Sequence, residues 1–258
     1  FDARLVAQYF KEIAISRGVN WVDGEVSEIK NENSIISELK MKDGTTIDLD
    51  FVFDCSGFAK IVIDGVHKEE WIGYTDYLMM NKAIAFFLPQ ENKYQLNDKT
   101  YTEMVSMDCG WMFKIPLQHR WGCGYIYDSN LVSEEEIKEK IVKLHPQDDI
   151  QFNKKIEFNA GCFKDVWIEN CIAIGLSGGF LEPLEATSIM TTIFQLKFLP
   201  YDLFDYSKRE GYNYSTERIN YQNMSFIRHH YNCSRQDTKF WKEYRTRKLP
   251  SELEEICE

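Results

Sequence analysis

Gly179-Phe180-Leu181-Glu182-Pro183-Leu184-Glu185-Ala186-Thr187-Ser188 follows an apolar run, Cys171-Ile172-Ala173-Ile174, and a glycine/serine stretch, Gly175-Leu176-Ser177-Gly178, and leads into an apolar segment over 189–199. The order reads as a strand, a turn that can approach a ligand closely, and a helix start. Glycines remove the Cβ that would hold a bulky ligand away from the backbone. N–H groups at a helix start have no intrahelical acceptor and make a ready anion site. A carboxylate beside that site is placed for acid/base or cation-stabilising work. Pro183 suits a first helical turn, where its missing N–H costs nothing. The spacing therefore predicts a helix over 183–198 with Glu185 in its first turn.

With 258 residues the chain can bury a substantial core, as one large or two small domains. A hydrophobic fraction of 44% with 14% aromatics marks a globular polypeptide. The net charge of −11 argues against a nucleic-acid partner, which needs a basic face. The basic run Arg245-Thr246-Arg247-Lys248 reads as solvated surface. No apolar run approaches a membrane span, and the mean hydropathy is −0.41. The seven cysteines (Cys55, Cys109, Cys123, Cys162, Cys171, Cys233 and Cys257) include no CxxC pair, and several lie in apolar strand-like runs. That pattern fits reduced thiols in a cytoplasmic protein. His229 and His230 are adjacent and no His/Cys pair has ligand spacing, so no metal is expected. The chain opens directly into an amphipathic helix with no leader, which predicts a cut within a longer protein.

Apolar residues at Leu5, Val6, Tyr9, Phe10, Ile13 and Ala14 give a helical period over 1–17, closed by Gly18. Strand-like alternation covers 19–29, 34–41 and 46–49, with Lys42-Asp43-Gly44 as a hairpin turn. Residues 50–58 form a nearly continuous apolar run ending in Ser56-Gly57, as a buried parallel strand would. Further strands are expected over 81–89, 100–107, 110–116, 122–127 and 150–161. Ser133 caps a helix over 133–144 whose first turn is acidic. Two more helices are expected over 206–231 and 237–247. Two parallel-type strands far apart in sequence suggest one nucleotide-binding layer interrupted by an antiparallel insert.

Four segments carry a resemblance. Asp54-Cys55-Ser56-Gly57-Phe58 ends the first parallel-type strand; read by itself it is a tight turn after any buried strand. Gly110-Trp111-Met112-Phe113-Lys114-Ile115-Pro116 puts Trp111, Phe113 and Ile115 on one strand face, a core stripe or a pocket wall. In the opening stretch, Glu185 either complements the positive end of a helix or acts on a ligand. Phe226-Ile227-Arg228-His229-His230-Tyr231 is followed by Ser234-Arg235-Gln236-Asp237-Thr238-Lys239-Phe240-Trp241. Together these resemble the flavin-dependent tryptophan halogenase family, of flavoprotein monooxygenase-like fold, over nearly the whole chain and without the N-terminal part. The second segment looks like WxWxIP with Phe113 for the second tryptophan. The opening one looks like GFLEPLES with Ala186 for serine. The last looks like HY…REDTPFW with Gln236 for glutamate.

The resemblance implies an α/β (α+β) fold: a partial FAD-binding, Rossmann-like layer with an inserted antiparallel β-sheet and C-terminal helices. Its implied divisions are 1–60 and 161–200 in the FAD-binding domain, 61–160 as the β insert on the substrate side, and 201–258 as a helical substrate-side region. It implies FADH2- and O2-dependent halogenation of an indole-like aromatic substrate through hypohalous acid. Glu185 would be catalytic, stabilising the cationic ring or taking its proton. Ser56, Gly57, Gly175, Ser177, Gly178, Gly179 and Phe180 would lie against FAD. Thr187 and Ser188 would hold halide, chloride or bromide, through backbone N–H groups. Trp111, Phe113, Gln236, Phe240 and Trp241 would line the substrate site; a neutral amide at Gln236 cannot offer an ammonium group a charge-assisted bond, which argues against free tryptophan. A separate flavin reductase would supply FADH2, and a homodimer is a further expectation. The glycine fingerprint for the FAD pyrophosphate and the family's essential lysine have no match in these residues, so the chain by itself is expected to be inactive. Two other readings stay open: a flavin hydroxylase or epoxidase, and a non-catalytic binding module.

Overall fold

The computed structural model describes residues 1–89, 100–118 and 120–257, the last three by backbone alone. Helix α1 (Ala3–Ser16) starts where the Asp2 carboxylate accepts the Arg4 N–H at 3.0 Å, and ends at Gly18 with φ +89°. Strands β1 (Val26–Glu32), β2 (Ile35–Met41) and β3 (Thr46–Asp48) form an antiparallel meander. The strand expected from residue 19 begins only at Val26. The ladder with β2 starts at the Val26–Met41 pair; before it the Glu25 carbonyl accepts the Lys42 N–H at 2.8 Å, and the Val19 N–H donates back to the Ala14 carbonyl of α1 at 3.0 Å.

Strand β4 (Val52–Asp54) pairs with a strand more than a hundred residues later. After β5 (Trp71–Gly73) the chain builds a sheet from β6 (Lys82–Pro89), β7 (Glu103–Met107), β8 (Gly110–Pro116) and β9 (Arg120–Tyr127). Helix α2 (Glu134–Leu144) follows, held by a capping box between Ser133 and Glu136. Strand β10 (Gln151–Glu157) then completes a five-stranded antiparallel sheet in the order β10-β6-β9-β8-β7. Strands β11 (Gly161–Phe163), β12 (Trp167–Ile168) and β13 (Cys171–Ala173) return the chain to β4, with β13 parallel to it: Cys171 faces Val52 and Ala173 faces Asp54. That pairing matches the two parallel-type strands expected from the apolar runs. Strand β14 (Gly179–Phe180) joins β11 and β5 in a small antiparallel sheet.

Helices α3 (Thr187–Lys197), α4 (Arg209–His230), α5 (Lys239–Tyr244) and α6 (Ser251–Cys257) complete the fold. Alternation along the five-stranded sheet gives it two buried faces. Ile84, Phe86, Met112, Tyr125 and Tyr127 pack with Ile137 and Ile141 of α2. Trp111 and Ile126 face Met224 and Ile227 of α4 and Phe240, Trp241 and Tyr244 of α5 or its end.

Helix α3 begins at Thr187, not at Pro183. Residues 184–186 form a single tight turn in which Glu185 (φ 53°) and Ala186 (φ 55°) are both left-handed. The buried Leu184 precedes this pair and the start of α3 follows it, so the pair redirects the chain before the helix can run. Left-handed non-glycine residues cost about 1–3 kcal/mol each and persist where the surroundings dictate them. Helix α4 buries a polar stripe, Asn213, Thr216, Asn220 and Asn223, at helical spacing. Asn213 brackets Trp167, accepting its N–H at 2.8 Å and donating to its carbonyl at 3.0 Å. Asn223 donates to Thr191 of α3 at 2.9 Å.

Candidate active site

The left-handed turn aims Glu185 and Ala186 outward from the core into a cavity of about 570 Å³. Strand β8 supplies Phe113 and Ile115 to its wall, and Met104 of β7 lies beside them. Tyr101, Thr102, Pro183, Ser188 and Ile189 complete the lining. Phe113 lies against the strand opposite because its cross-strand partner is Gly124, where a Cβ would come within 2.4 Å of the ring. The cavity is thus mostly apolar with one carboxylate in its lining, the makeup of a small-molecule site.

Ser188 also lines a second, much smaller cavity of about 10 Å³, with Gly175, Gly179, Phe180, Leu181, Thr187, Thr191 and Asn220. That volume suits a single water molecule or ion. The N-cap of α3, Ala186, offers no side-chain cap to the first-turn N–H groups. The Thr187 N–H donates to the Leu184 carbonyl, and the Thr187 hydroxyl donates there too at 3.3 Å. Of the two residues expected at an anion, Ser188 therefore carries the N–H outside that turn, and Thr187 closes it.

The ends of β4 and β13 lie side by side as parallel strands, and a ligand crevice belongs at the carboxyl ends of such strands. Ser56-Gly57 leaves one and the 175–179 turn leaves the other. Gly57 has φ +66° with open space where a Cβ would sit. Gly175 also has φ +66°, and its N–H donates to Gln195 Oε1 at 2.8 Å while Gln195 Nε2 donates to the Ala173 carbonyl at 3.0 Å. Gly179 is packed so closely that a Cβ would meet Cys162 at 2.7 Å. Two glycine turns at adjacent parallel strand ends, one with free space at Gly57, fit a flat cofactor such as FAD. Ser177 is fully buried, and its hydroxyl is engaged by the Asp54 and Ile174 carbonyls, so it braces the two turns from beneath. Phe180 packs edge-on against Phe58 and Phe158, each at 5.1 Å between centroids.

The remaining expected substrate residues lie elsewhere. Trp111 is 5% exposed behind Phe113, with ring centroids 6.0 Å apart. Phe240 and Trp241, 2% and 5% exposed, sit in the core around Tyr231 and Tyr244 and do not line the 570 Å³ cavity. Trp241 is held there by its Nε1–H donating to the Met107 carbonyl at 2.8 Å, and by Arg235 over its ring at 5.0 Å. Gln236 is exposed in the turn before α5 and is likewise absent from that lining. Arg228 is buried and donates to the Lys248, Tyr244 and Arg247 carbonyls.

Sequence reasoning missed Tyr101, Thr102 and Met104, for which no motif gives a signal. It also passed over Glu182, the first glutamate of the opening stretch. Glu182 accepts hydrogen bonds from Trp111 and Tyr231, and burial pushes its carboxyl up to about 7, against the lowering effect of both bonds.

The tryptophan halogenase family model matches residues 1–258. The tryptophan 6-halogenase ThaL of Streptomyces albogriseolus is 31% identical over 268 residues, covering 100% of this chain and 50% of ThaL. The tryptophan 7-halogenase RebH of Lentzea aerocolonigenes is 30% identical over 263 residues, covering 99% of this chain and 49% of RebH. The crystal structure of the tryptophan 6-halogenase SttH from Streptomyces toxytricini superposes with a TM-score of 0.91 at 32% identity, over 99% of this chain and 51% of SttH. The chain spans about half the length of the curated relatives it matches. With a family match over every residue and the same architecture in SttH, the chain belongs to the tryptophan halogenase family.

Proposed function

We propose that the whole protein halogenates an aromatic, indole-like small molecule, using FADH2 from a separate reductase, O2 and halide. One observation carries this reading: Glu185 and Ser188 face the same apolar cavity, and Ser188 also borders the ion-sized cavity beside the glycine turn. When bound, reduced FAD would activate O2, the two-electron oxidant that converts halide to an electrophile. Residues 1–60 and 161–200 form the layer that would hold FAD, through Ser56, Gly57 and the 175–179 turn. Residues 61–160 and 201–258 build the substrate side. The positive end of α3 at Ser188 favours the halide. Phe113, Ile115, Met104 and Ile189 hold the ring and exclude water. The Glu185 carboxylate stabilises the positive ring formed when the halogen adds, and takes the proton from that carbon to its own oxygen. Phe240 and Trp241 act from behind, as packing for the β7–β8 wall. Gln236, exposed and outside the lining of the cavity, takes no part in this reading. Reduced cysteines fit a cytoplasmic setting.

The test supplies the whole protein with FAD, a flavin reductase, bromide and a panel of indoles, and identifies products by mass. Brominated product is expected. Oxygenated product alone would instead favour a flavin hydroxylase or epoxidase.

A further inference from the structure

Glu182 is fully buried, and nothing in the reaction above uses it. Its Oε2 accepts two hydrogen bonds, from Trp111 Nε1–H at 3.3 Å and from the Tyr231 hydroxyl at 2.6 Å. Its Oε1 is buried with no hydrogen-bond partner. A half-satisfied buried carboxyl is costly, and an apolar side chain of similar size would be cheaper if the site only had to be filled. What the carboxyl adds is direction. Its two donors, Trp111 of β8 and Tyr231 at the close of α4, lie more than a hundred residues apart in the chain. Tyr231 in turn stacks flat on Tyr244 at the end of α5, with ring centroids 3.9 Å apart and planes 8° from parallel.

Glu182 also stands three residues before Glu185. Pro183 stiffens the link and Leu184 is buried in the same core. The left-handed pair that follows needs both of its ends fixed to persist. Thr187, bonded back to the Leu184 carbonyl, fixes the far end. Glu182 fixes the near one.

We propose that Glu182 is a positioning residue: one carboxylate oxygen joins the Trp111 strand to the Tyr231 end of α4 and thereby sets the turn that aims Glu185 into the cavity. The inference rests on the halogenase reading for its activity readout, and on geometry alone for its spectroscopic one.

The experiment compares Glu182→Leu and Glu182→Gln in the whole protein with FAD, reductase, bromide and indole. The leucine variant removes the acceptor, while glutamine keeps an acceptor oxygen at nearly the same volume. Folded Glu182→Leu is expected to lose about 100-fold in kcat, the scale of an ångström misplacement. KM for indole should change by less than about threefold, because the walls of the cavity remain. Flavin oxidation should be unaffected, and Glu182→Gln should recover to within about tenfold of wild type. Independently of turnover, tryptophan emission should shift in Glu182→Leu, and the shift should vanish in a Trp111→Phe background. A folded leucine variant with kcat within about twofold of wild type overturns the proposal, as does an unchanged emission or a glutamine variant as slow as leucine. If Glu182→Leu does not fold, Tyr231→Phe removes one bond and little volume; about a tenfold loss in kcat is expected, and no loss overturns the proposal. If wild type halogenates no indole while the emission shift is present, the reaction reading fails and the anchor stands.

Discussion

Glu185 occupies a backbone conformation that most side chains avoid, and the strain turns its carboxylate outward to a cavity rather than along a helix. The role proposed for it, on the ring and not on the flavin, makes a clean prediction. In the whole protein Glu185→Gln should oxidise FADH2 at the wild-type rate while halogenation falls about 10²–10⁴-fold, the usual worth of a positioned acid or base. Oxygen uptake and product analysis measure the two separately, and full halogenation by the variant would remove Glu185 from the mechanism. Gly124 makes a second residue-scale case. Its missing Cβ is what lets Phe113 lie against β9, at 2.4 Å from where that carbon would be. Gly124→Ala should push the ring toward the cavity at an overpacking cost of about 1–3 kcal/mol. Binding of an indole probe, followed by fluorescence, should weaken about tenfold for each 1.4 kcal/mol of that cost borne by the site. Unchanged affinity would mean that the ring relaxes elsewhere.

Among the elements, the pairing of β4 with β13 does most to place the site, since it sets the two glycine turns side by side. Gln195 of α3 clamps the second turn, and its side chain bonds both Gly175 and Ala173. Gln195→Leu should leave those two backbone groups unsatisfied and destabilise the fold by about 2–4 kcal/mol, read from denaturant midpoints. A loss below about 1 kcal/mol would mean that water replaces the clamp. The pairing was legible because two apolar runs, each ending in glycine, have the signature of buried parallel strands. The capped α2 and the strands β7, β8 and β9 were legible because their signals are local. The turn at 184–186 was not. Pro183 followed by an apolar period reads as a helix start, and nothing local announces that Glu185 and Ala186 are left-handed. That geometry depends on Leu184 and Glu182 being buried, which is a tertiary fact. The Phe240-Trp241 pair has the same limit: adjacent aromatic residues suit a pocket wall and a core equally well, and the packing around Tyr231 that buries them is not visible in the sequence.

Over the whole molecule the net charge is −11, and one of the carboxyls, Glu182, sits fully buried among aromatic rings. Such a group couples global stability to pH. The unfolded chain releases this proton near the ordinary value of 4.5 and the folded chain near 7. Between those values the folded state binds more protons, so its stability falls as pH rises and levels off above the folded value. A shift of this size corresponds to about 3 kcal/mol across the window. The titratable groups facing Glu182 are Tyr231 and Tyr244, and burial holds both protonated throughout. His67 works in the opposite sense: burial lowers its value, so its contribution to stability grows as pH rises through the ordinary histidine range. The raw pH profile therefore mixes two slopes of opposite sign. Subtracting the profile of Glu182→Gln cancels His67 and isolates the carboxyl. Denaturant unfolding at about pH 5 and about pH 8 should show the wild type losing some 3 kcal/mol relative to the variant between the two conditions. Parallel profiles would mean that Glu182 titrates near its ordinary value, with water reaching a carboxyl that the packing around Trp111 and Tyr231 closes off.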